Sequence, residues 1–266
     1  MPLLRVAIAQ FDVKLGDRAA NYKQVEEMLA ANWVTSELPT AVILPEIWDV
    51  GYVIEEAEKY GDRGEEQAAA FLGRLAREYD CWFAGGSVLA LTSRGAQNRA
   101  MAVNQLGKYV AYYDKAHLIA LMDEGKYLAP GEWRTHVDIG GVDVGLCICY
   151  DLRYPEWQRL YAVEGAQALF FSAEWPKSRA EHWQTMLRSR AIENQCYVAG
   201  CNRVGVTGGT VFGGRSVVVD PWGEILCECG EEPCFAFVEI DSEKADRARD
   251  FLQTFTARRP MLYKEF

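Results

Sequence analysis

Short apolar runs rich in β-branched residues recur along the whole chain, and stretches of helical period separate many of them. This alternation constrains the fold more than any other feature. Strands joined through a helix must lie parallel, and the helices must then cover the sheet. Leu4–Gln10, Ala41–Pro45, Trp82–Leu89, Arg99–Asn104, Tyr109–Asp114 and His136–Ile139 read as strands. So do Val142–Ile148, Ala168–Ser172, Cys196–Asn202, Arg215–Val219, Glu224–Cys229 and Cys234–Ile240. Helices are expected over Asn21–Ala31, Glu65–Tyr79, Pro155–Glu164, Ser178–Glu193 and Ser242–Phe255. Two crossovers predict parallel pairs: Ala41–Pro45 with Trp82–Leu89, and Val142–Ile148 with Ala168–Ser172. The segments AMAVNQLGKYVAYYD and SVVVDPWGEILCEC alternate around turns at Gly107 and Pro221-Trp222-Gly223, and read as hairpins. No linker rich in Pro, Gly or Ser divides the chain, so residues 1–266 read as one α/β domain. Twelve strands are many for one open sheet and point to two packed sheets with helices outside.

Half of the residues are hydrophobic, enough for a large core without disulfides or metals. The formal net charge is −10, and no Lys/Arg run is longer than Arg258–Arg259. Such a chain repels phosphate backbones, so no nucleic-acid partner is expected. No apolar stretch reaches the roughly 20 residues of a membrane helix, so no membrane partner is expected either. The start, MPLLRVAIAQFDV, reads as a first strand rather than an export signal. The expected compartment is therefore the cytoplasm, where the eight cysteines remain thiols. Cys227, Cys229 and Cys234 form a C-x-C-x4-C group, which departs from zinc-site spacing. Neither a metal nor another cofactor is expected.

The sharpest chemical signal is GLCICYDLRYPEW, residues 145–157. A buried strand ends at Cys149, a polar turn follows, and a helix opens at Pro155, where proline suits the first turn. A nucleophile on such a turn stands clear of the sheet, and the nearby helix start favours a thiolate. Strand alternation predicts that Cys147 shares the face of Cys149. The histidines, His117, His136 and His182, lack the partners of a Cys–His pair, and G-x-S-x-G is absent. Two other charged residues follow apolar strands directly: Glu46 after AVILP and Lys115 after YVAYYD. Strand ends of this kind form the rim where α/β proteins hold ligands.

The segments LPEIWDVGY, YYDKAHL and CICYDLRYPEW resemble the three catalytic motifs of the nitrilase (carbon–nitrogen hydrolase) superfamily, in matching order and spacing. The segment FFSAEWPKSRAEHWQTMLRSRAIENQCYVAGCNRVG is similar to its bacterial omega-amidase branch. The resemblance implies a four-layer α-β-β-α sandwich, paired as a homodimer. It implies Cys149 as nucleophile, Glu46 as general base and acid, and Lys115 as oxyanion stabiliser, with Glu124 as a supporting carboxylate. It implies a small-molecule amide as substrate, the omega-amide of a short 2-oxo dicarboxylic acid. Tyr150, Arg153 and Trp175 are the substrate-binding candidates, with Arg153 or Arg203 expected to hold a substrate carboxylate. N-carbamoyl amino acids, aliphatic amides and nitriles are alternative substrates, and an inactive small-molecule-binding homologue is the non-enzymatic alternative.

Overall fold

The computed structural model describes residues 2–263. The expected domain, 1–266, includes residue 1 and residues 264–266, which lie outside the described residues. Strands β1 (Leu3–Gln10), β2 (Thr40–Ile43), β3 (Asp62–Arg63), β4 (Trp82–Thr92), β5 (Gly95–Val103) and β6 (Tyr109–Asp114) come first in the chain. Then come β7 (His136–Ile139), β8 (Val142–Ile148), β9 (Ala168–Ala173), β10 (Tyr197–Asn202), β11 (Val204–Thr207) and β12 (Thr210–Gly213). The last are β13 (Val217–Val219), β14 (Ile225–Glu228) and β15 (Cys234–Asp241). The helices are α1 (Arg18–Asn32), α2 (Ala57–Tyr60), α3 (Glu66–Glu78), α4 (Glu124–Tyr127), α5 (Pro155–Glu164), α6 (Ala180–Asn194) and α7 (Ser242–Leu252).

One sheet has the order β15-β1-β2-β4-β5-β6, with β3 paired to β4; the other has the order β14-β13-β10-β9-β8-β7. Both expected crossovers are parallel pairs, β2 with β4 and β8 with β9. Both expected hairpins are antiparallel, β5–β6 and β13–β14. The two sheets meet face to face. The Cys201 thiol on β10 donates to the Ala9 carbonyl on β1 (3.4 Å), and the Gly86 N–H on β4 donates to Ser172 Oγ on β9 (2.5 Å).

Outside the first sheet, Val25 and Leu29 of α1 and Leu72 and Leu75 of α3 pack on Ala7, Ala9, Val42 and Phe83. Outside the second, α5 and α6 come so close that β8 and β10 need glycine beneath them. A Cβ on Gly145 would lie 2.7 Å from the Tyr161 ring, and one on Gly200 would lie 2.7 Å from Leu187 and Trp183. The result is the four-layer α-β-β-α sandwich.

Several features depart from the expected elements: β3, α2 and α4 are additional short elements, and α7 ends at Leu252 rather than Phe255. The β4 and β5 strands run on to Thr92 and back to Gly95, closing a long hairpin past the expected ends. The hairpin β11–β12 occupies 204–213, a stretch too short and glycine-rich to show strand alternation. Helix α1 starts at Arg18 rather than Asn21 because Asp17 caps it, accepting the Ala20 N–H at 3.0 Å.

Candidate active site

Glu46 leaves the end of β2 through a strained turn. Ile47 has φ 39°, a left-handed conformation that a β-branched residue rarely adopts. The turn is held from β4: Ser87 Oγ accepts the Ile47 N–H at 2.8 Å, and the Ser87 carbonyl accepts the Trp48 N–H at 3.0 Å. Ser87 can do this because β4 bulges at Gly85 and Gly86, both at positive φ. A Cβ on Gly86 would lie 2.6 Å from Leu44 Cβ, so the bulge also makes room for the chain that carries Glu46. The Glu46 side chain is then met from three directions. Oε1 accepts from Asn98 Nδ2 (2.8 Å) and Lys115 Nζ (2.9 Å), and Oε2 accepts from the Glu174 N–H (2.9 Å).

Lys115 directly follows β6, and its N–H donates to the Asn98 carbonyl at 2.9 Å. Its side chain is fully buried and bridges two carboxylates, Glu46 and Glu124, with Nζ 2.7 Å from Glu124 Oε1. Glu124, at the start of α4, has the same kind of surroundings as Glu46. Its Oε1 also accepts from the Tyr52 hydroxyl, and its Oε2 accepts the Ile119 N–H at 2.5 Å. An ammonium has three hydrogens, and two of those on Lys115 are spent on the carboxylates.

Cys149 opens a 3₁₀ turn, Cys149–Arg153, with φ 42°. The expected tight turn after β8 is therefore present. Asp151 braces it: Oδ2 accepts from the Ile148 N–H (2.9 Å) and the Tyr113 hydroxyl (2.7 Å). His117 is occupied at this brace, with Nδ1 2.7 Å from Asp151 Oδ1 and its ring stacked 3.8 Å from Tyr154. The left-handed residue also breaks the alternation that put Cys147 and Cys149 on one face. The Cys147 thiol feels Asp151, Gln158 and Cys196, on the helix side, whereas Cys149 feels Glu46, Lys115 and Glu124.

The electrostatics correct one expectation. Burial pushes the Cys149 thiol well above the ordinary cysteine value, and Glu46 adds to this by charge and by a side-chain hydrogen bond. Lys115 pulls the other way and is outweighed. Burial and Glu46 thus favour the thiol, against the pull towards thiolate from the helix start and from Lys115. Burial works against the charge on Lys115, but Glu46, Cys149 and Glu124 together hold it above the ordinary lysine value. A thiol, a carboxylate and an ammonium packed this way can pass a proton from sulfur to Glu46 while the ammonium faces developing negative charge.

A model of the family described as carbon-nitrogen hydrolase matches residues 5–250. The chain belongs to that family. It is 35% identical to a 2-oxoglutaramate amidase of Bacillus subtilis, over 97% of this chain and 98% of that one. It is 33% identical to an omega-amidase of Escherichia coli, over 97% and 96%. A solved CN-hydrolase superfamily protein of Xanthomonas campestris, with an arsenic adduct in its active site, superposes with a TM-score of 0.90. That protein is 30% identical, with 97% of this chain and 98% of that one covered. The resemblance read from the three motifs is borne out.

In this carbon–nitrogen hydrolase the candidate binding residues are separated by their surroundings. Arg153 is half-buried and makes no hydrogen bond or ion pair among the described residues; its guanidinium lies 4.7 Å from the Trp175 ring and 5.9 Å from that of Tyr150. Among the described residues it forms no ion pair with Glu156, three residues on. Arg203 is fully buried and committed to Glu174 Oε2 (3.0 Å), Asp12 Oδ1 (2.9 Å) and the Val13 carbonyl (2.6 Å), so it is no free carboxylate receptor. The motif reading missed Asn98, Tyr52 and Glu174. Tyr52 stood inside LPEIWDVGY and Glu174 inside FFSAEWPKS; Asn98 is a polar residue that nothing local in the sequence distinguishes.

Proposed function

We propose that this protein hydrolyses the terminal amide of a short 2-oxo dicarboxylic acid, such as 2-oxoglutaramate, through a thioester on Cys149, releasing ammonia and the diacid. The observation that carries the reading is the buried ammonium of Lys115 between Glu46 and Glu124, acting on the Cys149 thiol. Glu46 takes the thiol proton as sulfur attacks, gives it to the departing nitrogen, and later takes one from the water that opens the thioester. The third Lys115 hydrogen and the Tyr150 N–H stabilise the oxyanion. Glu124 keeps Lys115 charged in its buried position. The arsenic adduct in the Xanthomonas relative supports a reactive sulfur, since arsenic binds thiols.

The substrate class is supported by the relatives' names and by Arg153, a cation unpaired among the described residues and lying over the Trp175 face in an otherwise acidic chain. Arg153 holds the distal carboxylate, with Trp175 and Tyr150 as walls. The test is kcat/KM for 2-oxoglutaramate against butyramide, in wild type and Arg153→Ala. The neutral amide is expected to be slower by roughly 10- to 150-fold, and Arg153→Ala to remove most of that difference. Equal values in wild type mean a general aliphatic amidase; a preference that survives the substitution discards Arg153.

The reading includes one domain spanning 1–266, a homodimer, and a cytoplasmic location. Leu160 and Val163 of α5, Ile192 of α6, Trp222 and Phe251 are exposed on or beside the outer helices of the second sheet, and an isologous pair would cover them. Light scattering that gives the mass of a single chain counts against it. Eight cysteines, all unpaired, suit a reducing compartment.

A further inference from the structure

Asn98 lies within β5, and its side chain makes one hydrogen bond: Nδ2 donates to Glu46 Oε1 at 2.8 Å. Its Oδ1 is buried and has no partner among the described residues. A buried amide held only for packing would be expected to fill both ends, because an empty acceptor is costly. Here one end is left empty and the other is aimed at the general base. The same residue's carbonyl accepts the Lys115 N–H, so Asn98 aligns both charged neighbours of Cys149.

The consequence is an asymmetry between the two oxygens of Glu46. Oε1 already accepts from Lys115 Nζ and Asn98 Nδ2, which fills both of its in-plane lone pairs. Among the described residues Oε2 accepts one backbone donor, the Glu174 N–H, which leaves a lone pair for the Cys149 thiol that hydrogen-bonds Glu46. We infer that Asn98 is a positioning residue that closes Oε1 to protons, so that Oε2 is the one atom of Glu46 that exchanges them during turnover; this rests on the base role proposed above for Glu46. In the first half-reaction the Sγ–H bond breaks and its proton goes to Oε2. The sulfur electron pair forms the bond to the amide carbon, and the carbonyl π pair moves to oxygen beside Lys115. On collapse that pair re-forms the carbonyl, the C–N bond breaks, and nitrogen takes the proton from Oε2 and leaves as ammonia. An amide suits the task because it donates without charge. A cation at this position would pin Glu46 as a carboxylate, and an acid would compete with it for protons.

The experiment uses Asn98→Leu and Asn98→Asp beside Glu46→Gln, with full pH profiles on 2-oxoglutaramate. Asn98→Leu keeps the volume and removes the donor. It is expected to lower kcat by roughly 10- to 100-fold with little change in KM, and to move the acid limb of the profile upward. Asn98→Asp keeps the shape and donates only when protonated, so its relative activity should rise as the pH is lowered. It carries the test alone if the leucine variant does not fold. Wild-type kcat and profile in either variant overturn the proposal, as does equal loss in both with the profile shape unchanged. If Glu46→Gln keeps full activity, the base role itself fails; if Glu46→Gln is inactive while Asn98→Leu is normal, only the assignment to Oε2 fails.

Discussion

Lys115 and Arg203 are both fully buried cations, and each stands between two acids. What separates them is what lies beside them. Arg203 donates from all three nitrogens: Nε to the Val204 carbonyl, Nη1 to Glu174, and Nη2, shared, to Asp12, the Val13 carbonyl and Thr207 Oγ1. One Nη1 hydrogen is left over among the described residues, but the ring of Phe212 covers one face at 4.5 Å and none of the five contacts is a nucleophile. Lys115 spends two of three hydrogens and sits against a thiol. Burial and pairing alone do not mark a reactive cation; an unspent donor next to a nucleophile does.

The comparison is broken most forcefully at Lys115. Lys115→Arg keeps the charge but places a wide planar fork where a compact ammonium fits. It is expected to lower kcat on the order of 10³-fold, the scale of a lost oxyanion donor. The folded fraction at 25 °C should hardly change. If Lys115→Arg is nearly as active as wild type, the spare hydrogen has no special place in the reaction.

The mirror experiment is Arg203→Met. It leaves Glu174 and Asp12 without their cation, and breaking a buried pair costs about 3–5 kcal/mol of stability. Urea midpoints should report that loss, while kcat of the protein that remains folded stays within about tenfold of wild type. A variant of normal stability whose kcat collapses would put Arg203 in the chemistry and erase the contrast.

The smallest effect sharpens the structural side. Burial raises Glu174 from the ordinary 4.5 to about 7, with Arg203 opposing the shift and Glu46 adding to it. A carboxyl that holds its proton more tightly when folded stabilises the fold below its unfolded value and loses that contribution as the pH rises through its folded value. Stability should therefore decline between about pH 4.5 and 7 from this group. Glu174→Gln, neutral throughout, should flatten that slope in urea midpoints measured against pH; identical slopes in the two proteins would refute the assignment.

The three reactive candidates were legible because each directly follows an apolar strand, where side chains meet at the sheet rim. The contacts that hold them were not. Glu46 is held by Lys115, Asn98 and the Glu174 N–H, which lie 69, 52 and 128 residues away. Those distances are set by strand order and by the packing of one sheet on the other, and no local pattern encodes them. The same holds for Arg203, whose pairing depends on Asp12, 191 residues earlier. Cys147 went wrong for a different reason: period-2 reasoning assumes extended backbone, and Cys149 at φ 42° is not extended. Nothing in the Gly85–Gly86–Ser87 stretch marks it as part of the site, yet its bulge seats the turn that carries Glu46.

The most direct test of the account is to trap the acyl-enzyme. Wild type and Cys149→Ala are mixed with 2-oxoglutaramate, quenched in acid within a turnover, digested, and read by mass spectrometry. The account predicts an adduct of the substrate less ammonia on the peptide containing Cys149 in wild type. It predicts none in Cys149→Ala, together with a loss of ammonia release on the order of 10⁴-fold. Ammonia release that persists in Cys149→Ala, or an adduct that falls on another cysteine, would contradict it.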